Sequence, residues 1–202
     1  MPSPRSTWPQ LLVGLRALLV LTVVLGAGYP LVVTGIARLM PDRADGSLVT
    51  DADGTVVGSA LIGQSFTDAD GRPLIQYFQS RPSAAGDGYD ALASAGSNLG
   101  PENPLLVATI EARRAAVAAL EGVDESAVPA DAVTSSGSGL DPQISVAYAE
   151  LQVPRVAAAR GLTQDQVRTL VQDATTGPAL GILGQAGVDV LTLNLALDAL
   201  DG

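Results

Sequence analysis

Histidine, cysteine and lysine are all absent from the 202 residues; the 11 basic side chains are arginine throughout. These absences exclude a thiol nucleophile, a Ser-His-Asp triad, a zinc centre with imidazole or thiolate ligands, a lysine Schiff base and a lysine-dependent phosphate loop. Catalysis would have only carboxylates, hydroxyls, arginine and backbone to work with. An exported domain would stand on its core alone, without disulfides. Aromatic residues amount to 3%, few for a stacking platform on single-stranded nucleic acid. Positive charge is also scarce. With 21 acidic side chains the net charge is -10, which opposes binding to nucleic-acid phosphates. An apolar content of 47% is ordinary for a folding chain, and the length suits one domain with an appendage.

That appendage lies near the N-terminus. Ala17 to Ala37 is an uncharged run, ALLVLTVVLGAGYPLVVTGIA. At about 1.5 Å per residue it matches a hydrocarbon core of about 30 Å. The apolar stretch extends back to Leu11 if Arg16 snorkels, and Trp8 sits where an indole prefers the interface. A cleaved signal peptide is the rival reading, but its apolar region is shorter. The expected organisation is a cytoplasmic tail (1–10), a transmembrane anchor (11–38) and a soluble extracytoplasmic domain (39–202). Arginines flank the run evenly, so orientation rests on the short, carboxylate-free tail staying in the cytoplasm. Thr22, Gly26, Pro30 and Thr34 recur every four residues, a spacing that suits a groove for a partner helix.

From Leu39 onward, eight arginines face all 21 carboxylates. The pattern predicts an α+β domain: a strand over Thr55–Ile62, a turn at Asp70-Gly71 and a short strand over Ile75–Phe78. A long Gly/Ser/Ala/Asn/Pro-rich loop follows from Arg81 to Pro104. A helix is expected from Asn103 to Leu120, with Asn103 as cap, Pro104 in the first turn and Gly122 as stop. Asp141-Pro142 is expected to open a second helix, broken or kinked at Pro154 and stopped by Gly161. Thr163 and Gln166 form a capping-box pattern for a third helix, ending near Ala174. Val188 to Leu200 closes the chain as strand, helix or both.

Three groups of residues invite chemistry. The loop Ser135 to Gly139, running into the expected helix at Pro142, could hold phosphate on its amides. Asp141 at the cap would satisfy those donors itself, which favours a structural turn. Asp87, Asp90 and Glu102 could act as acid and base or bind a cation, although scattered solvated charge is the simpler reading. Arg81-Pro82-Ser83 could bind a carboxylate or phosphate, or pair with one of the acids. On residues alone, a membrane-anchored extracytoplasmic hydrolase or binding protein using carboxylates remains open.

Four segments resemble the KdpC family in order and spacing: YFQSRPSAAGDGYDALASAGSNLGPENPLL (Tyr77 to Leu106), VPADAVTSSGSGLDPQIS (Val128 to Ser145), QVPRVAAARGL (Gln152 to Leu162) and GVDVLTLNLALD (Gly187 to Asp198). KdpC is the small subunit of the Kdp potassium-transporting P-type ATPase, and the anchor fits it too. The resemblance implies a complex with a potassium-channel-like subunit and a P-type ATPase subunit that hydrolyses ATP. A small single-helix subunit and membrane lipid complete the expected partners, with no nucleic acid. It implies a non-catalytic role in assembly, as a catalytic chaperone raising the ATP affinity of the ATPase subunit, and a single helix with the main domain outside the cytoplasm. No catalytic, cofactor or metal residue is implied in this chain; ATP belongs to the complex, shared at most with the ATPase subunit. The matching motif implies partner contacts at Arg81, Pro82, Ser83, Gly96, Ser97, Asn98, Gly100, Pro101 and Asn103. It also marks a motif loop at Ser136, Gly137, Ser138, Gly139, Asp141 and Gln143. Many members carry histidine where Gln143 stands, so a proton-linked role there is lost in this chain. Pro154 puts the geometry of its own segment in question.

Overall fold

A computed structural model describes residues 4–200, and side chains from Thr7. It contains two compact units, one reaching Ser47 and one beginning at Leu48.

In the first unit, α1 (Pro4–Val23), a π-helical turn (Val24–Gly28) and α2 (Tyr29–Ala37) run on as one helix. Thr7–Ala37, 31 residues, is long and apolar enough to cross a membrane. At the α-helical rise it would be about 46 Å long. Its large apolar side chains are exposed. The π turn has a local cause in Pro30, which has no N–H and whose ring crowds the carbonyl four residues back. The Tyr29 N–H reaches five residues back to the Val24 carbonyl, widening the turn just before the proline. The Thr34 hydroxyl donates to the Pro30 carbonyl at 2.8 Å. A four-residue spacing overshoots an α-helical turn by about 40° per step. A wider turn slows that drift, so the π turn helps keep Thr22, Gly26, Pro30 and Thr34 on one side. A short α3 (Pro41–Ala44) follows.

The second unit opens with an antiparallel hairpin of β1 (Leu48–Thr50) and β2 (Val56–Ser59). Residues 60–103 are irregular, apart from isolated bridges. Then come α4 (Pro104–Glu121), β3 (Gln143–Ser145), α5 (Val146–Arg160), α6 (Gln164–Asp173), β4 (Thr175–Thr176), β5 (Gly187–Asp189) and α7 (Val190–Asp198). The three strands form an antiparallel sheet in the order β3-β5-β4. The expected mix of helix and sheet is therefore found. Ile144, Tyr148, Val153, Val156, Val167, Val171, Val188, Leu193 and Leu197 fill the core with Phe78.

Helix ends follow their side chains. Asn103 accepts from the Leu105 N–H at 2.9 Å, and Gly122 ends α4 at φ 68°. Thr163 and Gln166 form the capping box of α6. Each such cap contributes about 1 kcal/mol.

Several expectations are corrected. The strand over Thr55–Ile62 covers only Val56–Ser59, because a turn brings Ile62 back against Ser59. Ile75–Phe78 is not a strand; the backbone at Phe78 is met by a side chain instead of a ladder. Asp141-Pro142 opens no helix. Gln143–Ser145 pairs with β5, Ile144 is buried between its neighbours, and Ser145 caps α5 by accepting from the Tyr148 N–H. Asp131 fixes Ser145 in turn, accepting from its N–H at 2.7 Å and its hydroxyl at 2.8 Å. Pro154 lies inside α5, which runs through it to Arg160 with Gln152, Val153, Val156 and Ala157 buried.

Candidate functional site

The site is a pair of interlaced loops that rest on one docked segment, residues 74–80. That segment is held by two buried amides that imitate strand pairing. Asn194 on α7 accepts from the Phe78 N–H at 2.9 Å and donates to the Phe78 carbonyl at 3.0 Å. Gln152 on α5 accepts from the Gln79 N–H at 2.7 Å and donates to the Gln79 carbonyl at 3.2 Å. Both amides are essentially inaccessible to solvent, so each must find partners or incur a desolvation penalty.

Arg155 adds a charged clamp. Its Nε lies 3.0 Å from both carboxylate oxygens of Glu121 on α4, and its Nη atoms donate to the Ile75 and Tyr77 carbonyls and to Gln152 Oε1. The Glu121 side chain is 0% exposed and that of Arg155 8%. Burial pushes the Glu121 carboxyl above its ordinary value of 4.5, with Arg155 pulling the other way. Arg160 donates to the Gln76 carbonyl, pairs with Asp198 at 2.7 Å and stacks over Tyr77.

Docking of 74–80 delivers Arg81 to the motif loop. Arg81 pairs with Asp141 at 2.8 Å and donates to the Thr134 carbonyl at 3.3 Å. Ser83 Oγ donates to the Gly139 carbonyl at 2.6 Å while accepting from the Ala85 and Tyr89 N–H groups. The Ala95 N–H and Ser94 hydroxyl both donate to the Ser138 carbonyl. Tyr89 sits at φ 57°, and its hydroxyl donates to the Arg81 carbonyl. A strained backbone of this kind persists only where the surroundings dictate it. Gly139 is required twice over. Its φ is 69°, and a Cβ there would lie 2.7 Å from both the Ala85 nitrogen and the Ala95 oxygen. Gly96 packs against Gly137, where a Cβ would come within 3.1 Å of the carbonyl.

These bonds define what the Gly/Ser loop can do. Ser136 Oγ accepts from the Gly139 N–H, and Ser138 Oγ accepts from the Leu140 N–H. Those amides are engaged by the loop's own hydroxyls, and a strand follows rather than a helix N-terminus. The arrangement is a structural turn. Asp141 is no helix cap; it is the carboxylate that Arg81 reaches. Gln143 lies on β3 opposite Asp189, with its amide against Gly187. Asp87, Asp90 and Glu102 are exposed, and no cluster of three potential metal-ligating side chains forms among the described residues.

Arg81, Pro82 and Ser83 are half-buried, whereas Ser97, Asn98, Gly100 and Pro101 are exposed. Asn98 holds φ 52°. Asn103 caps α4. A cavity of about 340 Å³ lies between this loop and α4, lined by Ser97, Leu99, Leu105, Leu106, Ile110 and Ser135 among others. Leu92 is 99% exposed. Sequence reasoning did not single out Gln152, Asn194, Arg155 or Glu121. The available signal was an amide inside an apolar stripe, as in LTLNLAL and ELQV.

Comparison with known proteins covers all of these segments. The family model described as KdpC, K+-transporting ATPase, c chain, matches residues 11–199. A protein of Kineococcus radiotolerans named potassium-transporting ATPase KdpC subunit is 55% identical over 184 residues, 91% of this chain and 90% of its own. A protein of the same name from Caulobacter vibrioides is 53% identical over 180 residues, 88% and 87% of the two chains. One from Mycobacterium tuberculosis is 53% identical over 193 residues, 95% and 98% of the two chains.

Proposed function

Because the chain belongs to the KdpC family, we propose that it is the non-catalytic accessory subunit of an ATP-driven potassium-uptake complex. The observation that carries this reading is a family match that spans the anchor and all four motifs in one order. Its partners are the channel-like subunit, the P-type ATPase subunit and a small single-helix subunit, embedded in the plasma membrane. ATP hydrolysis belongs to the ATPase subunit, and this chain assists assembly and raises ATP affinity there. Affinity-tagged chain, extracted in mild detergent, should bring the channel-like and ATPase subunits with it. Recovery of the chain alone under conditions that keep those two subunits together would refute the assignment.

The domain lies outside the cytoplasm, on the far side of the membrane from ATP. Its help to nucleotide binding therefore travels through the membrane helices as a coupling free energy. The occupied amides of the Gly/Ser loop support this indirect route. A reporter active only outside the cytoplasm, fused after Gly202, should report activity; activity of a cytoplasm-only reporter would reverse the topology.

Partner contacts divide between the two units. In the anchor, the Thr22, Gly26, Pro30 and Thr34 side receives a partner helix. Gly26→Leu is expected to weaken co-purification while Leu25→Ala leaves it intact, and equal behaviour would remove the groove from the account. In the domain, the outward side of Gly96, Ser97, Asn98, Gly100 and Pro101 meets the partner, and Arg81, Pro82, Ser83 and Asn103 hold that surface in shape from behind. Ser136, Gly137, Ser138, Gly139, Asp141 and Gln143 form its underside.

A further inference from the structure

A cavity of about 620 Å³ opens between the irregular segment 65–89 and α4, and two of its lining residues are arginines, Arg81 and Arg113. Its volume is in the range that binds small molecules. Among the described residues, Arg72, Arg81, Arg155, Arg160 and Arg168 pair with carboxylates. Arg113 has no ion pair among the described residues; its Nη1 donates only to the Val133 carbonyl, at 3.2 Å. Burial lowers its pKa, so the protein pays to keep this charge where it is. Arg81 spends one Nη on Asp141 and the other on a carbonyl, while its Nε is buried with no acceptor. Tyr148, 2% exposed, also lines the cavity, and its hydroxyl is hydrogen-bonded to no other described residue. Arg81, Arg113 and Tyr148 thus bring N–H and O–H donors to one space, and the Arg81 Nε is a buried donor without an acceptor. A buried donor left unmet is costly, and a ligand supplying acceptors recovers that cost.

We propose that this cavity binds a carboxylate monoanion with a short apolar body, received by Arg113, Arg81 and Tyr148. The charge count selects a monoanion: Asp141 already engages Arg81, and exposed Asp87 borders the same space. A phosphate dianion would bring excess negative charge against what remains. The apolar body is called for by Ala116, Val117 and Leu120, which supply the α4 wall. Such a carboxylate has two sources, a free small acid or an acidic side chain inserted by a partner subunit.

The full-length chain in mild detergent is titrated with benzoate by calorimetry, with benzamide as the uncharged control and inorganic phosphate as the dianion. Saturable benzoate binding is expected, without benzamide or phosphate binding. Its Kd should rise about tenfold or more in Arg113→Gln, the scale of a charge-assisted hydrogen bond. Tyr148→Phe should weaken it less, and Arg114→Gln, a substitution one position along α4, should leave it unchanged. Circular dichroism confirms that each variant is folded. If benzoate does not bind, but Arg113→Gln and Tyr148→Phe release the partner subunits while Arg114→Gln does not, the carboxylate is a partner's side chain. Absence of both effects, or equal binding of benzamide, overturns the proposal. The benzoate arm does not depend on the potassium-pump reading, so the two stand or fall separately.

Discussion

Arg155→Ala is expected to cost the domain about 3–5 kcal/mol of stability, because it strands the Glu121 carboxylate in a fully buried position. The loss should depend on pH in a definite direction. Glu121 has a folded pKa raised above its ordinary 4.5, first by burial, so the folded state holds that proton more tightly than the unfolded state. Its contribution to stability is full below 4.5 and is lost as pH rises through the interval up to the folded value. Removing Arg155 takes away the influence that lowers this pKa and widens the interval. The deficit of Arg155→Ala relative to the parent should therefore shrink as pH falls from 8 toward 4.5. The double variant Glu121→Gln/Arg155→Met should recover much of the loss at neutral pH, since it leaves no unpaired buried charge. Thermal unfolding of the three proteins across that range is the measurement. A deficit that grows on acidification, or a double variant worse than the single, would contradict the clamp.

The second large effect is expected at Gly139. Alanine there is forced to φ 69° with its Cβ against the Ala85 nitrogen and the Ala95 oxygen. Left-handed strain and overpacking together predict a loss of about 2–4 kcal/mol. Because Gly139 packs against Ala85 and Ala95, beneath the exposed surface at Ser97 to Pro101, Gly139→Ala should also loosen that surface. Gly137→Ala, where a Cβ meets nothing within 4 Å, is the matched control and should be nearly neutral. Protection of the Ala85 and Ala95 amides against hydrogen exchange reads the loop directly. Equal protection in the two variants would mean that the interlacing does not hold the loops together.

What could be read from the sequence follows from how local each signal is. The N-terminal helix is a continuous apolar run, and α4 and α6 carry their caps beside them at Asn103 and Thr163. Asp141-Pro142 carries a similar local signal, but β5, more than 40 residues away, pairs with Gln143–Ser145 and shifts the cap to Ser145. The segment Ile75–Phe78 looks like a strand by composition, yet its partners are the side chains of Arg155, Arg160 and Asn194, on helices far along the chain. A non-local partner leaves no period to detect. In the site, an acid for Arg81 was anticipated, but which acid among 21 was set by the fold that brings Asp141 to it. In the Gly-rich loop the Gly139 and Leu140 amides are met by Ser136 and Ser138, not by a cap at Asp141.

The most direct test of the central claim is potassium-stimulated ATP hydrolysis by the purified complex, assembled with and without this chain. The account predicts potassium-stimulated hydrolysis when the chain is present, a large loss of it and a raised KM for ATP when the chain is omitted, and no hydrolysis by the chain alone. A complex lacking the chain that assembles and hydrolyses ATP with unchanged KM and kcat, or hydrolysis by the chain on its own, would contradict it.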